Sequence, residues 1–172
     1  MDKLNIRKGM TDDEINSLAN KALEMMTLKE KVDIMSGKHF FMLLLKDRKF
    51  GVRAYPGGGV KRLGIPPFLF TDGPRGVMMP GSTCFPVSMA RGSSWDINLE
   101  EEVGEVIGKE ARAHGGNLFG GVCVNLLRHP AWGRAQETYG EDPFHLGEFG
   151  AALIRGVQKH NVMATVKHYV AN

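Results

Sequence analysis

Ile15, Leu18, Ala19, Ala22, Leu23 and Met26 recur three and four positions apart, the spacing of one face of an α-helix. Thr11-Asp12-Asp13-Glu14 precedes them as a capping box: the Thr oxygen accepts a backbone N–H, and Glu14 reaches back to the cap. Thr27-Leu28-Lys29-Glu30 repeats the box and predicts a shorter helix through about Met35, closed by Gly37. From 38 to 64 no period holds. The run Phe40-Phe41-Met42-Leu43-Leu44-Leu45 lies between Lys38 and Lys46-Asp47-Arg48-Lys49 and fits either a buried short helix or a strand. Pro56-Gly57-Gly58-Gly59 reads as a loop.

From Pro66 onward the pattern becomes regular. Phe68-Leu69-Phe70-Thr71 predicts a strand ending at Asp72-Gly73-Pro74. Asp96 or Asn98 then caps a helix whose stripe is Leu99, Val103, Val106, Ile107 and Ala111, closed by Gly115-Gly116. Val122-Cys123-Val124-Asn125-Leu126 is the next strand, and a long loop, 127–141, follows. Asp142-Pro143 opens a helix with stripe Leu146, Phe149, Leu153 and Val157. Glu141 is expected to support its first turn electrostatically. Val162–Val166 is the third strand. Apolar strands alternating with amphipathic helices give a βαβαβ order, hence an α/β fold with a parallel sheet. A β/α barrel and a doubly wound open sheet both fit, and both bind ligands at the carboxyl ends of their strands. The second would need a glycine-rich phosphate turn directly after a strand, which neither Thr71 nor Leu126 is followed by.

Composition narrows the class without changing this picture. The 172 residues are 42% hydrophobic and 24% charged, as in a globular protein. A net charge of +3, scattered along the chain, argues against nucleic acid as a partner. The longest apolar run is far too short to cross a membrane, and the first residues lack the apolar stretch of a secretory signal. A cytoplasmic location is the expectation. Cys84 and Cys123 have no CxxC spacing or neighbouring His/Cys cluster, so both read as small buried apolar residues, with no metal and no cofactor expected.

Candidate chemistry concentrates after the strands, in FTDGPRGV (70–77), GRAQETYGEDP (133–143) and KHYVAN (167–172). Asp72, Arg75, Arg134, Glu137, Lys167 and His168 then surround one mouth. Such a mixture of fixed donors and acceptors suits a neutral, hydroxyl-rich ligand. Glu137 reads as a partner that holds a basic side chain in place. Lys167 and His168 are neighbours, so both reach the same side only if the strand ends or bulges there.

These segments, in this order, resemble the N-terminal domain of glycoside hydrolase family 3, as does MTLKEKV (26–32, counted from Met26) near the start. Arg134-x-x-Glu137 followed by Gly140-Glu141-Asp142-Pro143 favours the β-glucosidase-like branch. The resemblance implies an eight-stranded β/α barrel, with residues 1–37 as an N-terminal helical segment and 38–172 as roughly the first half of the barrel. It also implies a retaining hydrolase acting on terminal β-linked sugars, with a β-glucoside or β-linked oligosaccharide as substrate. Asp72, Arg134, Lys167 and His168 match residues that bind sugar hydroxyls. The family's nucleophilic aspartate and acid/base glutamate match nothing here and are expected beyond Asn172. Ser94-Trp95-Asp96 is the nearest string to the nucleophile motif, but its order is reversed and Asp96 is better placed as a helix cap. The isolated chain is therefore expected to be inactive. The alternative is a non-catalytic carbohydrate-binding α/β module.

Overall fold

The computed structural model describes residues 4–37, 40–48, 50–170 and 172; Lys38, His39 and Lys49 lie outside them. The chain divides into two compact units, Met1–Lys46 with Tyr55–Phe68, and Asp47–Ala54 with Leu69–Asn172.

In the first unit, α1 (Asp12–Met25) and α2 (Leu28–Asp33) each start from a complete capping box. Thr11 accepts from the Glu14 N–H at 3.3 Å, and the Glu14 carboxylate accepts from the Thr11 N–H at 2.8 Å. Helix α2 stops at Asp33, two residues short of the expected end near Met35, and Gly37 beyond it forms an antiparallel bridge with Gly57. The undecided apolar run is helix α3 (Phe40–Asp47). It is not buried as expected: Phe41 and Leu45 are 80% and 79% exposed. The stretch expected to be irregular also contains a three-residue strand, β1 (Tyr55–Gly57), and a 3₁₀ turn, Lys61–Leu63. Both are too short to impose a period on the sequence. Leu4, Ala22, Met26, Val60 and Leu63 form this unit's small core. Arg62 forks onto Glu30 at 2.9 and 2.7 Å. That guanidinium, helped by the Thr27 N–H, holds the Glu30 carboxyl down at about 2.

The second unit follows the expected βαβαβ order: β2 (Phe68–Thr71), a short helix α4 (Ser88–Gly92), α5 (Ile97–Ala113), β3 (Leu118–Cys123), α6 (Pro143–Gln158) and β4 (Met163–Lys167). Strand β3 lies between β2 and β4 and is parallel to both. Asp96 caps α5 by accepting from the Leu99 N–H at 3.0 Å, and Asp142 caps α6 through the His145 N–H at 2.7 Å. Glu141 precedes that cap, so it lies outside the first turn of α6 in which it was expected, and that turn has no acidic residue.

Strand β3 begins four residues earlier than predicted and ends at Cys123 rather than Leu126. Gly120 and Gly121 hid it, since they add nothing to an apolar run. They are there for close approach: a Cβ on Gly120 would lie 2.4 Å from the Phe70 ring, and one on Gly121 would lie 2.6 Å from the Gly73 carbonyl. Leu118 and Phe119 pair with Met163 and Ala164, while Val122 and Cys123 pair with Val166 and Lys167. Three steps on β3 thus match two on β4, and the extra residue is a bulge at the glycines. Its effect is to set Cys123 beside Lys167 at the carboxyl end of the sheet.

Val103, Ile107, Ala111, Phe119, Leu153, Val157 and Val162 build the main core between the sheet and helices α5 and α6. The two helices touch through glycine. A Cβ on Gly156 would stand 2.2 Å from the Glu101 carbonyl oxygen and 2.7 Å from the Glu105 nitrogen. Backbone atoms have little room to yield, so Gly156→Ala should push the helices apart and cost about 1–3 kcal/mol in chemical denaturation. A variant as stable as the parent would show that the helices do not meet so closely.

Candidate functional site

Asp72 is the first residue after β2. Its carboxylate accepts from the Gly73 N–H at 2.9 Å, and its carbonyl accepts from the Met78 N–H at 2.8 Å. The turn between these bonds depends on Gly73, whose φ is 132° and whose Cβ would lie 1.8 Å from the Gly76 carbonyl oxygen. Across the sheet, the last residue of β4 reaches the same place: Lys167 Nζ donates to Asp72 Oδ1 at 2.8 Å. The pair is only partly buried, with 16% of the Lys167 and 26% of the Asp72 side chain exposed.

Arg134 and Glu137 come from the loop after β3, where Arg134 precedes and Glu137 ends a 3₁₀ turn (Ala135–Glu137). They form a bidentate pair, Nε to Oε1 and Nη2 to Oε2, both at 2.7 Å. Glu137 therefore holds a basic side chain, as its sequence context suggested. Bonding to Arg134 keeps the Glu137 carboxyl below its usual range. The other Glu137 neighbour is Cys123, whose Sγ lies 3.6 Å from Oε2. Burial pushes the Cys123 thiol up to about 12.

His168 follows β4, so the strand does end between the two neighbours. Asn125 grips the His168 backbone on both sides, accepting from its N–H at 2.7 Å and donating to its carbonyl at 3.0 Å. That pairing fixes Asn125 Oδ1 as an acceptor, and the same oxygen sits 3.1 Å from His168 Nδ1. The imidazole proton therefore belongs on Nδ1, and Nε2 carries the lone pair. Asn172 Nδ2 lies 3.2 Å from the same Nδ1 and, with the proton there, makes no hydrogen bond to it.

Burial, then the positive charges of Arg134 and Lys167, lower the His168 pKa below its ordinary 6.5. His168 is neutral at pH 7, its contribution to stability is present above the unfolded value near 6.5, and it is lost as pH falls through the lower folded value. Ring-proton chemical shifts should titrate below 6.5 in the folded chain and move up toward that value in Arg134→Met. A midpoint at or above 6.5 in the parent would contradict this environment.

The structure thus brings Asp72, Arg134, Lys167 and His168 together at the carboxyl ends of β2, β3 and β4. Arg75 stands apart, with its Nε 3.2 Å from the Phe85 carbonyl. It lines a cleft of about 570 Å³ with Gly73, Met78, Cys84 and Glu137. That cleft borders the cluster without including its four sugar-binding candidates. Sequence reasoning missed Cys123 and Asn125. It misplaced Cys123 because it set the end of β3 three residues too late, and Cys84, expected to be buried, is exposed. Asn125 had a usable signal: a lone amide within the apolar segment Val122–Leu126.

Residues 58–172 match the family described as the N terminal domain of glycosyl hydrolase family 3. The chain belongs to that family. It is 35% identical over 156 residues to β-glucosidase B of Emericella nidulans, covering 87% of this chain and 17% of that protein. A thermostable β-glucosidase B of Acetivibrio thermocellus is 34% identical over 165 residues, covering 88% of this chain and 20% of the relative. Among solved structures, β-glucosidase 3B of Thermotoga neapolitana in complex with α-D-glucose superposes with a TM-score of 0.79 at 34% identity. That match covers 89% of this chain and 23% of the other. The chain therefore spans about a fifth of the length of these family 3 relatives.

Proposed function

We propose that this chain supplies the sugar-binding side of the active site of a retaining, β-glucosidase-like glycoside hydrolase. Its substrate class is a β-glucoside or a β-linked oligosaccharide, from which a terminal sugar is removed. The observation that carries the reading is the meeting of Asp72, Arg134, Lys167 and His168 at the carboxyl ends of three parallel strands. Asp72 accepts from outer hydroxyls of the sugar, and Lys167 donates to them while balancing its charge. Arg134, fixed by Glu137, donates from the other side. His168 offers Nε2 as an acceptor to a hydroxyl. Residues 38–172 then form the first part of a β/α barrel, with 1–37 as a helical segment before it.

The two carboxylates of the cluster are both committed, Asp72 to Lys167 and Glu137 to Arg134. A retaining mechanism needs a nucleophile and an acid/base about 5–5.5 Å apart across the scissile bond. This reading assigns both of those groups to sequence outside the 172 residues, so the chain binds sugar and does not cleave it.

Calorimetry with glucose, beside an assay with a chromogenic β-glucoside, tests both parts. The expected result is heat at one glucose per chain with no release of chromophore. Absence of heat would overturn the sugar subsite. Chromophore release would overturn the assignment of the catalytic pair to other residues.

A further inference from the structure

We propose that Cys123, Glu137 and His168 form a binding site for a borderline-soft divalent cation, of the zinc and cadmium class. One ligand atom from each of the three lies within 4.8 Å of the others. Cys123 Sγ and Glu137 Oε2 are 3.6 Å apart. Bonds of about 2.3 Å to sulfur and about 2.0 Å to oxygen at a tetrahedral angle separate two ligands by about 3.5 Å, so this half of the site is already spaced for a metal. The third ligand, within 4.8 Å of the other two, has to close by no more than about 1.3 Å.

Each group is held by something else. Cys123 is 2% exposed and is the last residue of β3, fixed there by the glycine bulge. Glu137 is oriented by Arg134. His168 is gripped by Asn125, whose Oδ1 accepts a hydrogen bond from Nδ1–H and leaves Nε2 with its lone pair. An amide or carboxylate behind the imidazole is the outer support that metal-bound histidines ordinarily have. One thiolate, one imidazole and one carboxylate select zinc or cadmium over magnesium or calcium, which prefer oxygen alone.

The charges allow it. Lys167 faces the site but is paired with Asp72, and the cation takes Glu137 Oε2 from Arg134 Nη2 while Oε1 keeps its bond to Arg134 Nε, so metal and sugar compete for His168 rather than sharing it. On binding, the Cys123 S–H bond breaks, a sulfur–metal bond forms and the proton leaves to solvent. The three protein ligands leave a fourth position for water.

Cadmium chloride titrated into the purified chain is the direct test, read by the ultraviolet thiolate-to-metal charge-transfer band. The band should saturate at one equivalent. It should persist in Cys84→Ser, which removes the exposed thiol, and vanish in Cys123→Ser. The midpoint should shift at least tenfold in His168→Ala and in Glu137→Gln. A band that is absent in the parent, survives in Cys123→Ser or disappears in Cys84→Ser would overturn the site. So would an unchanged midpoint in His168→Ala, which decides the matter if Cys123→Ser does not fold. Normal cadmium binding without glucose heat refutes the sugar reading alone, and the reverse result refutes the metal site alone.

Discussion

Glu100→Ala is expected to destabilise the chain by about 3–5 kcal/mol, the usual cost of removing one partner of a buried ion pair. Glu100 and Arg91 are almost wholly inaccessible, with 0% and 3% of their side chains exposed. The Arg91 Nε donates to Glu100 Oε2 at 2.8 Å, and Nη2 donates to Oε1 at 3.2 Å. Tyr139 donates its hydroxyl to Glu100 Oε1 at 2.7 Å. Burial, then the Glu100 charge, pushes the Tyr139 phenol well above its usual pKa, so it stays protonated and keeps donating. Truncating Glu100 leaves a buried guanidinium without its anion and a buried hydroxyl without its acceptor. Such a loss is a large part of a typical domain stability of about 5–15 kcal/mol.

The damage should also reach the candidate site. Arg91 donates to the carbonyls of Pro86 at 2.7 Å and Pro74 at 3.1 Å, which pins the loop that begins with Asp72. For the same reason, replacing both Arg91 and Glu100 by apolar residues will not restore stability, as it does for isolated buried pairs. The Pro86 carbonyl and the Tyr139 hydroxyl would still lack the partners they have now, and the Pro74 carbonyl would keep only the Ser88 hydroxyl, at 3.4 Å. Urea denaturation decides the matter. A Glu100→Ala midpoint within about 1 kcal/mol of the parent would show that the network carries little.

This network was invisible in the sequence, and the reason is physical. Glu100 is the first of three consecutive glutamates, and the two that follow look the same in one dimension. Only packing selects the one that meets Arg91. The elements that could be read early are those with local signals: the capping boxes at Thr11 and Thr27, the caps Asp96 and Asp142, and the stripes of α5 and α6. The site candidates were legible because residues at the ends of successive parallel strands are brought to one edge by topology alone. Their pairings were not. The Cys123 contact with Glu137 depends on a bulge at two glycines, and the grip of Asn125 on His168 spans 43 positions of sequence. Register and long-range pairing are set by how glycines let backbones approach, which hydropathy does not record.

Asp72→Ala should abolish detectable heat with glucose. An ionised acceptor contributes roughly 1.5–3 kcal/mol per hydrogen bond, equivalent to about 10- to 150-fold in affinity. Two sugar hydroxyls at one carboxylate compound that loss. Asp72→Asn keeps the shape and one acceptor oxygen but gives up the charge that holds Lys167. It should weaken binding by at least about tenfold. Arg134→Met should do less, because 43% of the Arg134 side chain is exposed and water competes with any hydroxyl there. Folding should separate the two kinds of residue. The Asp72–Lys167 pair is only partly buried, so Asp72→Asn should lower stability by no more than about 1 kcal/mol. A variant can therefore lose the sugar while keeping the fold, the reverse of the balance expected at Glu100. Glucose affinity in Asp72→Ala within twofold of the parent would remove the carboxylate from the binding site. The cluster at the sheet edge would then be a structural ion-pair network.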